Sequence, residues 1–154
     1  MRKPNFFRLL GIAAMATGLA CFDNSIKGKI EDGTIDNGVI EHTKGFAEIE
    51  KHHNKGLPLN KLDEHTKEIT FVSVIVMFFQ AVNTLKDALN DEDSVKDAAN
   101  ALIMAGALSN TYDRVERGYV VDYLKIGRKR AIYNLSDFFI IFGVIIRFIK
   151  ALID

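Results

Sequence analysis

Residues 69–85 read Ile69-Thr-Phe-Val-Ser-Val-Ile-Val-Met-Phe-Phe-Gln-Ala-Val-Asn-Thr-Leu85, seventeen positions without one ionisable side chain. Crossing bilayer hydrocarbon takes about 20 residues, with a range of roughly 17–25. The stretch is therefore read as a membrane-spanning helix, and that reading decides the fold. Working outward, Leu135–Ile153 contains Phe-Phe-Ile-Ile-Phe-Gly-Val-Ile-Ile and carries Asp137 at its start. Asn5–Phe22 has Arg8 as its single charge and is preceded by Arg2 and Lys3. A third apolar segment, Ala98–Tyr112, is short and rich in Ala and Gly. Ser94-Val-Lys-Asp97 before it has the form of a capping box, which starts the helix at Ser94 and carries it to Asp113. Such a helix is roughly 28 Å long, and its small residues suit close helix–helix contact inside a bundle.

The expected architecture is mainly α and membrane-embedded. Four transmembrane helices lie over about 5–22, 69–86, 95–113 and 135–153, in a single domain 1–154. The sizeable remainder, 23–67, is punctuated by Gly28, Gly33, Gly38, Gly45 and Gly56 between stretches such as Gly38-Val-Ile-Glu-His and Phe46-Ala-Glu-Ile-Glu. This pattern predicts a few short strands and turns, a small β-containing cradle on the extracytoplasmic surface. Arg2 and Lys3 favour a cytoplasmic N-terminus. Four crossings then put 22–67 and 114–134 outside and 86–93 and the C-terminus inside. That arrangement leaves Arg128-Lys129-Arg130 outside and Asn90-Asp91-Glu92-Asp93 inside, against the usual charge bias.

Composition removes several function classes. Twenty basic and twenty acidic side chains cancel, so no global field points toward nucleic acid. The single Cys21 excludes an intrachain disulfide framework and a multi-cysteine metal site. All four histidines (His42, His52, His53, His65) fall in the external segment without ligand spacing, so no metal is expected. Arg2-Lys3, an apolar stretch and Gly18-Leu-Ala-Cys21 imitate a lipidation signal, but the later apolar spans make Cys21 a plain helix residue.

The chemistry-bearing residues gather where the last two spans meet. Residues 106–123 read Gly-Ala-Leu-Ser-Asn-Thr-Tyr-Asp-Arg-Val-Glu-Arg-Gly-Tyr-Val-Val-Asp-Tyr, and Asn134-Leu-Ser-Asp137 follows. Asp122 and Asp137, fifteen positions apart, thus flank the mouths of two apolar segments. Ionised carboxylates are costly at a membrane boundary. Two converging there suggest a pair sharing one proton for acid/base work. Each motif also has a plain reading: Asn134 and Asp137 suit a helix N-terminus, and Asp113-Arg114 suits a helix-end ion pair.

These motifs resemble the prolipoprotein signal peptidases, the type II signal peptidases that are intramembrane aspartyl proteases. The resemblance runs along essentially the whole chain. It is strongest over Gly106–Tyr123 and Asn134–Asp137. Asp23-Asn-Ser-Ile-Lys27 and His53-Asn-Lys-Gly56 match the family's remaining motifs more loosely. The resemblance implies Asp122 and Asp137 as the catalytic pair. It implies Asn110, Asp113, Arg114 and Asn134 as the polar support that orients them, and Asn54 with Gly56 along the substrate approach. Asp23 and Lys27 fall at the end of the first helix. The implied activity is removal of signal peptides from diacylglyceryl-modified prolipoproteins just before the lipidated cysteine, with no cofactor. The implied setting is the bacterial cytoplasmic membrane, with the active site on its extracytoplasmic side. Expected partners are lipid-modified precursors and membrane lipids, with no nucleic acid, and the expected state is a monomer. Alternatives are a catalytically silent lipopeptide-binding relative and a small ion channel or transporter.

The chain departs from the family pattern at Ser109 (a glycine there), Ser136 (an alanine) and Tyr123 (usually Phe). After Gly56 it reads Leu-Pro-Leu-Asn in place of small and aromatic residues. Ser136 beside Asp137 is expected to offer the pair a hydrogen bond.

Overall fold

The computed structural model describes residues 6–41, 43, 45–56, 62–90, 93–127 and 131–153. Arg2, Lys3, Asn5, His42, the Leu-Pro-Leu-Asn run, Asp91, Glu92 and the 128–130 basic cluster lie outside the described residues. Four helices carry the chain: α1 (Phe6–Glu31), α2 (Thr66–Asn90), α3 (Ser94–Glu116) and α4 (Leu135–Ile153). A four-stranded antiparallel sheet, β1 (Gly38–Val39), β2 (Ala47–Asn54), β3 (Val120–Ile126) and β4 (Ile132–Tyr133), is ordered as in the sequence. Mainly helical architecture with a small sheet is what the apolar runs and the glycine-punctuated segment predict.

The bundle is built around α3, which packs on α1, α2 and α4. Its contact face is made of small residues: Ala99, Ala101 and Ala105 are fully buried. Gly106 lies against the Ser136 carbonyl and Ile140, and Gly143 of α4 lies against Ile103 and the Ala99 carbonyl. Small residues let backbones approach closely where neither lipid nor water supplies a driving force between helices. The large apolar side chains point outward instead. Phe71 is 67 % exposed, Phe148 64 % and Leu152 70 %. A water-soluble domain inverts this pattern.

Two helical stretches, Phe6–Glu31 and Asp63–Asn90, are long and apolar enough to cross a membrane. α4 is as apolar between its charges, but it carries Asp137, Arg147 and Lys150. Arg8, the one charge of the first run, is held inside the bundle, where its guanidinium donates to Asp97 of α3 at 2.5 and 2.7 Å and to the Ala88 carbonyl at 3.0 Å.

Three elements differ from the sequence reading. α1 continues nine residues past Phe22, so 23–31 is helix and the cradle begins later. Asp23 and Lys27 look like a helix end because they are charged, yet both are fully buried inside it. The N-cap of α3 is Asp93, whose carboxylate accepts from the Val95 and Lys96 amides, and Ser94 is the first helical residue. Finally, the segment expected to loop between the third and fourth spans forms β3. Its run Val-Val-Asp-Tyr-Leu-Lys-Ile pairs with β2, His52 opposite Asp122 and Asn54 opposite Val120.

Strand alternation does the rest, since successive side chains face opposite sides. Val121 and Tyr123 turn inward to pack with Ile30 of α1, leaving Val120 and Asp122 on the other face.

Candidate active site

Asp122 and Asp137 reach one cavity of about 660 Å³ from two different elements, a strand and a helix. Asp122 stands on β3 and is buried. Its Oδ2 accepts from Asn54 Nδ2 at 3.0 Å and its Oδ1 from Asn134 Nδ2 at 2.7 Å. Asp137 sits in the first turn of α4. Its Oδ2 accepts from the Asn134 backbone N–H at 3.1 Å, and its own N–H donates to Asn134 Oδ1 at 3.0 Å. That reciprocal pair is a capping box. The plain reading of Asn134-Leu-Ser-Asp137 is therefore correct, and the cap is the device that aims Asp137. The other oxygen of Asp137 accepts from Asn110 Nδ2 of α3 at 3.1 Å. Asn134, fully buried, thus touches both carboxylates.

Burial pushes the Asp122 carboxyl up to about 7, helped by the neighbouring Asp137 charge, while the Asn54 and Asn134 amides pull the other way. A carboxyl in that range can hold or release a proton near neutrality.

Behind this pair lies a buried polar block. Lys27 Nζ is 2.9 Å from Asp23 Oδ2, from Asp113 Oδ2 and from Ser109 Oγ, and donates to Asn110 Oδ1 at 3.0 Å. Asp23 also accepts from Ser109 Oγ (2.7 Å), Ser136 Oγ (2.5 Å) and the Tyr123 hydroxyl (2.9 Å). Tyr123 in turn accepts the Leu135 amide at 3.2 Å. Asp113 pairs with Arg117 and takes the Val121 amide at 3.2 Å. Four of these ties land beside a site carboxylate: Val121 and Tyr123 flank Asp122, while Leu135 and Ser136 precede Asp137. Lys27 also sets the orientation of the Asn110 amide, its oxygen toward the ammonium and its NH2 toward Asp137.

The structure brings Asn54, Asn110 and Asn134 directly onto the two carboxylates. It does not do so for Asp113, which was expected to orient them and instead acts through Lys27 and Val121. Arg114 reaches the cradle, donating Nη2 to the Gly56 carbonyl at 2.7 Å, and Gly56 N–H donates to Asn54 Oδ1 at 3.1 Å. Its Nη1 is buried and has no partner among the described residues. Ser136 turns to Asp23 and not to the pair. Tyr123 was missed as a site residue; its signals were the hydroxyl it carries at a position that is usually Phe, and alternation, since positions 121 and 123, on either side of Asp122 in a strand, must share the inward face.

Much of the remaining lining is apolar, and part of it lies between helices. Val72, Val76 and Met77 of α2 face Ile140 and Ile141 of α4 across Ala107 of α3. The cavity joins reactive polar groups at one end to a lipid-like wall at the other.

This combination of helical bundle, surface sheet and buried carboxylates is that of a bacterial membrane enzyme. Two solved structures described in those words, obtained by the in meso method at 2.3 and 1.9 Å resolution, match with TM-scores of 0.80 and 0.78. Both are 27 % identical and cover all of this chain, and 93 % and 99 % of theirs. The family described as Signal peptidase (SPase) II matches residues 15–153, and the chain belongs to that family. Membership makes it a protease. A lipoprotein signal peptidase of Moorella thermoacetica is 36 % identical over 140 residues, covering 91 % of this chain and 88 % of its own. One from Staphylococcus aureus (strain MRSA252) is 31 % identical over 119 residues, 75 % of this chain and 70 % of its own.

Proposed function

We propose that this protein is an aspartic endopeptidase of the bacterial cytoplasmic membrane. It removes the signal peptide from diacylglyceryl-modified prolipoproteins just before the lipidated cysteine, with Asp122 and Asp137 as the acid/base pair. The observation that carries this reading is the shared Asn134: one side chain and its backbone hold both carboxylates at the mouth of a single cavity.

Two carboxylates in a poorly hydrated site resist ionising together and retain one proton between them. Asp122, raised to about 7 by burial first and by Asp137 second, holds that proton near neutrality. Asp137, at the positive end of the α4 dipole, is the ionised partner. It takes a proton from water as the oxygen attacks the scissile carbonyl, and Asp122 donates to the carbonyl oxygen. Arg114 Nη1, buried and without a partner among the described residues, is the donor available to steady the developing charge. The apolar wall between α2 and α4 receives the acyl chains, and Asn54 with Gly56 guides the peptide. Carboxylate-assisted hydrolysis needs only water.

The whole chain, 1–154, acts as one membrane-embedded domain and works as a monomer. Four crossings put both termini on the cytoplasmic side and the carboxylates at the outer one.

The test is cleavage of a diacylglyceryl-cysteine peptide by reconstituted protein and by Asp122→Asn and Asp137→Asn. The parent cuts before the modified cysteine, and each variant loses at least about 10³-fold in kcat/KM while keeping its unfolding temperature. A parent without activity points to a silent lipopeptide binder. Ion flux without proteolysis points to a channel.

A further inference from the structure

A second cavity, of about 520 Å³, lies at the opposite end of the bundle from the carboxylates. It is lined by Gln80, Asn83, Lys86 and Asp87 of α2, with Asn100 of α3 and Arg147 of α4 among the rest. Of its six polar side chains Gln80, Asp87, Asn100 and Arg147 are wholly or partly buried, and Asn83 and Lys86 are exposed at its rim. Asp87 has its partners: Oδ2 accepts from Asn100 Nδ2 at 2.9 Å and from Arg147 Nη1 at 2.8 Å. Among the described residues Gln80 reaches only Thr84, at 3.4 Å.

What is left over is donors. Lys86 and Asn83 have no partner among the described residues, and Arg147 spends one nitrogen on Asp87. One carboxylate against two cations leaves the niche with a surplus positive charge. Its remaining lining is apolar, Ile103 beneath and Val144 beside, and Val144 is 51 % exposed.

The niche also lies on the same helices as the active-site cavity. On α4 the lining positions run Asp137, Ile140, Ile141, Val144, Arg147, and on α3 they run Asn110, Ala107, Ile103, Asn100. Apart from the adjacent Ile140 and Ile141, these positions step by three or four residues, so each series lies on one helix face. The two cavities therefore follow one another along the same faces of α3 and α4, with apolar side chains between their polar ends. Ten residues separate those ends on α4, about 15 Å.

We propose that the inner niche binds the headgroup of an anionic phospholipid, with its acyl chains laid over Ile103 and the exposed Val144. Lys86 and the free N–H groups of Arg147 take the phosphate, and Asn83 takes a headgroup hydroxyl. A basic pocket between helices at the cytoplasmic border is suited to this chemistry. A free anion would make no use of Ile103 and Val144, and a zwitterionic lipid would bring a second cation to a site already positive. The niche binds its lipid whichever residues cut the substrate.

Native mass spectrometry of the full-length protein, exchanged into equal amounts of phosphatidylglycerol and phosphatidylcholine, tests it. The parent retains phosphatidylglycerol over phosphatidylcholine by about fivefold or more, the effect of one well-placed cation. Lys86→Gln abolishes the preference and Lys86→Arg keeps it, both with unchanged unfolding temperature. Equal retention of the two lipids by the parent, or an undiminished preference in Lys86→Gln, overturns the proposal. So does displacement of the lipid by millimolar inorganic phosphate, which would make the niche a free-anion site. A Lys86→Gln protein that keeps its lipid but changes its preference between precursors of different N-terminal charge overturns it too, and assigns the niche to the substrate peptide.

Discussion

Asn134 is the residue on which the two carboxylates depend together. Its side chain donates to Asp122 and accepts from the Asp137 amide, while its backbone donates to Asp137. Replacing it with Ala removes a donor that favours ionised Asp122, so that carboxyl rises further. Activity of the parent is expected to fall about tenfold per pH unit above the Asp122 value of about 7, as the retained proton leaves. In Asn134→Ala the alkaline limb moves to higher pH while kcat drops on the order of 10²-fold, from lost positioning. A pH–rate profile of both proteins reads the two effects separately. Lys27 is the structural counterpart. Lys27→Met leaves Asp23 buried without its cation and Asp113 with Arg117 alone, and costs about 3–5 kcal/mol. Ser136→Ala removes one hydrogen bond to Asp23 and costs about 2 kcal/mol. Denaturant titration in detergent measures both, and the larger loss belongs to Lys27.

At the level of elements, close approach governs α3 and α4. A Cβ on Gly143 would stand 2.6 Å from Ile103 Cγ1 and 2.7 Å from the Ala99 carbonyl, and one on Gly106 would meet the Ser136 carbonyl and Ile140. Alanine at either site gains about 1 kcal/mol of helix propensity but must push two backbones apart, which costs about 1–3 kcal/mol or more. Gly106→Ala also displaces Ser136 and with it Asp137, so its activity falls along with its unfolding temperature. Gly18 is the control, since an added methyl group there would meet nothing within 4 Å. Gly18→Ala is expected to be neutral or stabilising by up to about 1 kcal/mol. Thermal melts by circular dichroism separate the three variants.

The elements also show where the sequence was readable. α2 and α4 announce themselves because long apolar runs admit few alternatives. The end of α1 does not, because Asp23 and Lys27 look like solvent-facing charges until each finds the other and Ser109, Ser136, Tyr123 and Asp113 close around them. β3 was hidden for a related reason: Asp122 interrupts a β-branched and aromatic run, and only its position in the sheet shows that it faces a cavity. The candidate site was legible as a set of residues through the family pattern, but not as a geometry. Asn110 and Asn134 lie where polar support was expected, whereas Asp113 and Ser136 serve the buried block behind it.

For the whole molecule, the outward-facing apolar surface of α1, α2 and α4 sets the solvent the fold requires. The protein is expected to stay in the membrane pellet through alkaline carbonate extraction and to be released only by detergent, and recovery in the carbonate supernatant would contradict the proposed placement. A reporter that is active only in the cytoplasm, fused after the last residue, is expected to be active, and a silent fusion would contradict the proposed four crossings. α2 stands apart within this whole. It packs chiefly on α3, and it lends no side chain to the carboxylates, to the amides that hold them or to the Lys27 block. Its polar ties to the bundle gather at one end, where Asp87 holds Asn100 and Arg147 and the Ala88 carbonyl takes Arg8, so the wall it forms beside the carboxylates is held by apolar packing, while the site itself stays clamped among α1, α3, α4 and β3.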